Sequence, residues 1–158
     1  MKAHFLSNIL LMLIWVFLTG EYNFYNFFFG FVFSFLIIWL IDSSSGQSKY
    51  VKIVPRVISF IFFFNYELIK ANVQVAYEVM TPGLKVTPGI IKIPLDVKTD
   101  FEISFLANLI TLTPGTLSLD VSDDKKVLYV HSMYVKDKEE FIWSIKNGFE
   151  KRILQITR

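Results

Sequence analysis

Two stretches of this chain, residues 5–18 and 24–41, contain no Asp, Glu, Lys, Arg or His, and only Thr19 and the polar connection Gly20-Glu21-Tyr22-Asn23 separate them. A helix over the second stretch rises about 27 Å, close to the hydrocarbon thickness of a bilayer. The first stretch needs its flanks, Ala3, His4 and Thr19, to reach that depth. Two such runs joined by a tight polar turn predict a membrane helical hairpin over residues 1–42, with Tyr22 and Tyr25 placed where interfacial aromatics sit. A cleavable signal peptide is the competing reading of the first run, because Lys2 precedes it. No small-x-small cleavage pattern follows, and the second run begins too soon for that reading.

The rest of the composition narrows the chemistry. The chain of 158 residues is 53% hydrophobic, carries 17 Phe and has no Cys. It is too apolar for an ordinary soluble domain. Without cysteine there is no disulfide, thiolate metal site, cysteine nucleophile or thiol lipidation. A net charge of +2 with no basic patch argues against nucleic acid as a partner. Neither apolar run holds an Asp, Glu, Lys, Arg or His, so the hairpin offers no proton relay of its own. Lys2 precedes the hairpin, Lys49, Lys52 and Arg56 follow it, and its turn carries only Glu21, which predicts both ends on the cytoplasmic side.

Residues 43–56, beginning with a Ser/Gly-rich run, read as a linker. Residues 57–80 follow as a helix, intensely apolar in its first half. In its second half Glu67, Lys70, Gln74 and Glu78 recur in steps of three and four and form one polar stripe. Such an amphipathic helix lies in the membrane interface or, alternatively, forms a third span. Glu67 and Lys70 are the ionisable pair nearest membrane depth, and so either a functional pair or an ordinary i, i+3 contact at the interface.

Residues 81–158 read as a small α+β domain. Turn signals at 81–83 and 87–89 open it, and alternation of Ile91, Ile93, Leu95 and Val97 predicts a half-buried strand in which Pro94 marks an edge or a strand end. Thr99 and Glu102 have capping-box spacing, and Phe101, Phe105, Leu106, Leu109 and Ile110 recur at helical intervals. At Thr113-Pro114-Gly115-Thr116 the period changes to two, through Leu117, Leu119 and Val121. Pro114 and Gly115 suit the central positions of a type II turn. Phosphate loops place their glycines before a helix, whereas this corner follows one, so Thr111, Thr113 and Thr116 are expected to donate to helix C-terminal carbonyls or to a partner.

A polar turn at 122–125 leads to a strand over 127–135. Asp123 and Asp124 lack the further ligands of a calcium loop, and His131 has no nucleophile or acidic partner in a recognisable motif. A last helix begins at Asp137, with Phe141, Ile145, Phe149 and Ile153 inward and Lys146, Glu150 and Lys151 on the opposite face. The order is β-α-β-β-α, with both helices on one sheet face.

The aromatic hairpin, the helix containing Glu67-Leu-Ile-Lys-Ala-Asn72, the segment Lys98-Thr-Asp-Phe-Glu102, and Leu109-Ile-Thr-Leu-Thr-Pro-Gly-Thr-Leu-Ser-Leu-Asp120 together resemble one family. It is the E subunit (MrpE/MnhE) of the Mrp-type multisubunit sodium/proton antiporter. The resemblance covers nearly the whole chain, and the Thr-Leu-Thr-Pro-Gly-Thr corner is its most specific part. It implies a noncatalytic accessory or assembly subunit in the cell membrane, partnered by other membrane subunits of the antiporter and without cofactor or metal. It also implies interaction or structural positions at Glu67, Lys70, Asn72, Thr111, Thr113, Pro114, Gly115 and Thr116. One departure stands out: Val130-His-Ser-Met-Tyr134 lacks the Ala-hydrophobe-Asp run that often follows the histidine in related sequences. The alternative reading is a membrane-tethered enzyme or ligand-binding module, with its site around Thr113, Thr116 and His131.

Overall fold

The computed structural model describes residues 2–43, 49–81, 86–135 and 137–158. The chain divides into two compact units, Met1–Val57 and Ile58–Arg158.

In the first unit, helix α1 (Lys2–Thr19) doubles back into α2 (Phe24–Ser43). Gly20 ends α1 with φ +70°, and its N–H donates to Val16 O. Such a left-handed residue is favoured as glycine because no Cβ crowds the backbone. Asn23 opens α2 by accepting from Asn26 N. Asn26 then ties the turn together: its Oδ1 accepts from Trp15 Nε1 at 2.9 Å, and its Nδ2 reaches Thr19 Oγ1 and Glu21 O. Gly30 lets the helices approach, since a Cβ there would stand 2.9 Å from Trp15 Cδ1. Among the described residues one helix, over Phe24–Ile41, is long and apolar enough to cross a membrane, and Ala3–Thr19 is a shorter apolar helix.

Helix α3 (Lys49–Met80) begins earlier than the sequence pattern predicts. Residues 49–56 of the expected linker are helical, Asp42 and Ser43 belong to α2, and 44–48 lie outside the described residues. The physical reason is local packing. Tyr50 is buried, its hydroxyl accepts from Asn8 Nδ2 at 2.8 Å, and its ring meets Phe5 and Phe35 edge-on. Pro55 sits inside α3 and forfeits one i→i−4 bond there.

The second unit contains the remainder of α3 and a three-stranded antiparallel sheet of β1 (Gly89–Pro94), β2 (Thr116–Val121) and β3 (Val127–Ser132), in the order β1-β3-β2. Helix α4 (Asp100–Leu112) joins β1 to β2. The last helix has three parts: α5 (Lys138–Ile145), a π-helical turn (Lys146–Glu150) and α6 (Lys151–Thr157). The capping box forms at Thr99 and Glu102, and Asp137 caps α5 by accepting from Glu139 N and Glu140 N. The turn signal at 81–83 lies, beyond Thr81, outside the described residues, and Thr87 bridges to Tyr134.

The core combines Ile91, Ile93, Leu128 and Val130 from the sheet with Ile103, Leu106 and Ile110 from α4 and Ile145, Phe149 and Ile153 from the last helix. Alternation along β3 sends Leu128, Val130 and Ser132 inward and leaves Val127, Tyr129 and His131 on the other face. Phe60 and Phe63 of α3 join this core against Phe105 and Phe149.

Phe60, Phe63 and Phe64 of α3 pack on the domain; of the polar stripe, Glu67 and Glu78 are half-buried on that side, Lys70 and Gln74 are exposed, and the opposite face of α3 is apolar and exposed. Glu150, expected on the outer face of the last helix, is 1% exposed. The π turn inserts an extra residue per turn and rotates that carboxylate inward.

Candidate functional site: the cleft between α3 and the Thr-Pro-Gly-Thr corner

The corner is built by its own hydroxyls. Helix α4 ends at Leu112, and Thr116 N donates to Thr113 O across Pro114 and Gly115, with Gly115 at φ +87° as a type II turn requires. Thr113 Oγ1 donates to Ile110 O at 2.6 Å. Thr116 Oγ1 lies within bonding distance of Ile110 O, Thr113 O and Thr113 Oγ1. The end of α4 offers carbonyls with no helical partner, and these two threonines occupy them. Thr111 acts differently: its Oγ1 accepts from Ser118 N at 3.1 Å, while Ser118 Oγ donates to Ala107 O, so β2 is stitched to the last turns of α4.

Gly115 is also a contact point. Tyr134 lies against it so closely that a Cβ would meet Tyr134 Cε2 at 2.8 Å. Burial, and then the neighbouring Glu78 carboxylate, push the Tyr134 phenol above its ordinary pKa. Tyr134 thus joins the corner to the end of α3.

Between α3 and this corner is a cleft of about 590 Å³. Glu67, Lys70 and Gln74 line it from α3, Thr113, Pro114 and Thr116 from the corner, Ser132 and Tyr134 from the end of β3, and Glu140, Asn147 and Arg152 from the last helix. Glu67 and Lys70 stand 3.5 Å apart, with the Lys70 side chain largely in solvent. Arg152 donates to Asn147 O and Gly148 O and lies 3.8 Å from the centre of the Phe63 ring. It therefore satisfies carbonyls of the π turn and stacks on an aromatic face.

The fold brings Glu67 and Lys70 to Thr113, Pro114 and Thr116, with Gly115 beneath Tyr134. It does not bring Asn72, which is exposed and donates to Leu68 O, or Thr111, which faces β2. The corner hydroxyls donate to backbone carbonyls, and no histidine lines the cleft. His131 pairs with Leu117 on the sheet face opposite Thr116, which separates the parts of the alternative enzyme site. No group of three or more His, Asp or Glu positioned for a metal occurs among the described residues.

A second polar centre, of which sequence spacing reveals only the Thr99–Glu102 capping box, holds the entry to α4. Glu150 Oε1 accepts from Asp96 N at 2.6 Å and Val97 N at 3.0 Å, and Glu102 Oε2 accepts from Lys98 N and Thr99 N. Four successive amides are thus taken by two buried carboxylates. Lys146 Nζ pairs with Glu150 at 2.9 Å and Asp96 at 2.8 Å and donates to Pro94 O. The Thr157 hydroxyl, then the Lys98 amide, lower the Glu102 pKa to about 2.

Residues 8–156 match the family model described as Na+/H+ ion antiporter subunit. The Na(+)/H(+) antiporter E subunit of Alkalihalophilus pseudofirmus is 38% identical over 158 residues, covering 100% of both chains. The corresponding E1 subunit of Staphylococcus saprophyticus is 38% identical, covering 99% of this chain and 98% of the relative. Among solved structures, a chain of an archaeal membrane-bound sulfane sulfur reductase matches with a TM-score of 0.55 at 31% identity, covering 97% of this chain and 98% of its own. A chain of the Mrp complex from a Dietzia species matches with a TM-score of 0.50 at 28% identity, covering 65% of this chain and 96% of its own. The chain belongs to the Na+/H+ ion antiporter subunit family, among its E subunits.

Proposed function

We propose that this chain is a noncatalytic assembly subunit of a multisubunit sodium/proton antiporter that supports pH and sodium homeostasis. The observation that carries the reading is similarity along the full length to antiporter E subunits in a chain whose long apolar runs hold no Asp, Glu, Lys, Arg or His. An ion crossing a bilayer needs polar or charged groups along its path. Residues 5–18 and 24–41 supply no carboxylate, amine, guanidinium or imidazole, so the path belongs to other subunits.

In this reading α1 and α2 span the membrane, and the basic residues at positions 2, 49, 52 and 56 hold both hairpin ends and the α+β domain in the cytoplasm. Thr111, Thr113, Pro114, Gly115 and Thr116 fix the shape of the corner. Glu67 and Lys70 are contact positions on the cleft, and Asn72 is one on the outer side of α3. None is a catalytic residue.

The test is purification of the tagged chain from native membranes in a mild detergent, with the other antiporter subunits quantified with and without it. Recovery of the large membrane subunits, and their depletion when the chain is deleted, is the expected result. A chain that runs free of them and whose deletion leaves their levels unchanged refutes the reading.

A further inference from the structure

The outer face of α3 is the largest feature left unexplained by packing within the second unit. Phe62, Tyr66, Ile69, Val73, Tyr77 and Met80 recur at steps of three and four and are each 62–84% exposed. At 100° per residue, the exposed apolar face between Ile58 and Met80 covers an arc of about 160° and a length of about 33 Å. No charged residue falls on that arc. Glu67, Lys70, Gln74 and Glu78 all stand outside it, on the side of the domain and cleft.

We infer that this face is seated in the headgroup–acyl boundary of the lipid bilayer, with α3 lying along the cytoplasmic membrane surface and the α+β domain covering its other side. The inference rests on the reading that the hairpin spans the membrane. Three observations favour lipid. First, the chain leaves α2 at Ser43 and enters α3 at Lys49, and those six residue steps reach at most about 20 Å, so α3 begins close to the bilayer surface. Second, the amides on the arc turn to their own helix: Asn65 Nδ2 donates to Ile61 O and Asn72 Nδ2 to Leu68 O, both at 2.8 Å. Ser7 and Thr19 in the hairpin bond back in the same manner, as polar groups do where water is scarce. Third, a single partner helix covers a narrow seam, whereas this arc is broad, and Tyr66 and Tyr77 lie along one of its edges, where phenol hydroxyls reach headgroups. The domain packed along α3 from Phe60 to Phe149 argues against α3 as a third span, since both cannot occupy the hydrocarbon.

The chain has no native cysteine, so single cysteines can be placed without background. The full chain is reconstituted in phosphatidylcholine/phosphatidylglycerol vesicles with a fluorophore on Ile69→Cys, Val73→Cys, Phe28→Cys in the hairpin, or Lys138→Cys on the exposed start of α5. Quenching by spin-labelled lipid is then read. The expected result is strong quenching at positions 28, 69 and 73 and several-fold less at 138. Quenching at 28 with none at 69 or 73 overturns the inference alone. No quenching at 28 overturns the hairpin reading and the inference with it. If positions 69 and 73 are shielded from a water-soluble maleimide only in native membranes holding the whole complex, the occupant is a partner protein and the lipid assignment is wrong.

Discussion

Glu150 is the side chain whose removal has the most calculable effect. Its Oε1 takes the amides of Asp96 and Val97, and Oε2 faces the Lys146 ammonium. Glu150→Ala leaves two amides without acceptors, at about 1–3 kcal/mol each, and strips one partner from the partly exposed Lys146 ammonium. Lys146 keeps Asp96 and Pro94 O, so the expected loss is near the lower end of that sum, about 3 kcal/mol. Glu150→Gln retains an acceptor oxygen but not the charge and should lose about 1–2 kcal/mol. Hydrogen exchange of β1 and β3 amides in the full chain in detergent micelles reads the opening of the domain directly. At about 1.4 kcal/mol per tenfold, Glu150→Ala should speed exchange about 100-fold and Glu150→Gln about tenfold. Exchange in Glu150→Ala within about twofold of wild type would mean that this carboxylate does not hold the entry to α4.

Three further predictions concern other parts of the fold. Glu102, with its pKa lowered from 4.5 to about 2, contributes fully above pH 4.5 and loses that contribution as the pH falls toward 2. The shift corresponds to about 3 kcal/mol at most and to about 1–2 after screening by nearby solvent, and Glu102→Gln should flatten this acid limb in urea melts. Gly115→Ala combines a positive φ with a 2.8 Å approach to Tyr134, so it should cost about 2–3 kcal/mol. Adding Tyr134→Ala should make Gly115→Ala less costly in a double-mutant cycle, and strict additivity would refute the contact. Gly30→Ala puts a methyl 2.9 Å from Trp15 and should lower the melting temperature of the detergent-solubilised chain through overpacking of about 1–3 kcal/mol; an unchanged melting curve counts against this close approach.

What is legible in the sequence is local. Thr99 and Glu102 announce a capping box three residues apart, Asp137 a helix start, and Pro114-Gly115 a corner where the hydrophobic period changes, because each of these depends on neighbours within one turn. Strand ends are only partly legible: Pro94 marks the end of β1, but β3 stops at Ser132 rather than 135, since pairing partners decide where a ladder ends. The orientation of α3 is not legible. A polar stripe of Glu67, Lys70, Gln74 and Glu78 normally marks the solvent side, and only the packing of Phe60 on Phe105 and Phe63 on Phe149 half-buries Glu67 and Glu78 while Lys70 and Gln74 stay exposed. Glu150 is hidden for the same reason. Its amide partners lie more than fifty residues away, and Gly148, whose Cβ would approach Phe63 at 3.1 Å, sits in the π turn that rotates it inward. The cleft likewise unites residues 67–74 with 113–116 through tertiary packing, which no spacing rule reports.

In the proposed function the chain is required to assemble the antiporter without forming its ion path. Sodium-dependent proton exchange in native membrane vesicles tests it most directly, comparing wild type, a deletion of the chain and Glu67→Ala, with the remaining subunits quantified by immunoblot. Deletion is expected to abolish exchange and deplete the partners, while Glu67→Ala, on the cleft outside the hairpin, should keep both near wild type. Loss of exchange in Glu67→Ala at normal subunit levels would contradict it by placing this carboxylate in the transport machinery, as would undiminished exchange and subunit levels after the deletion.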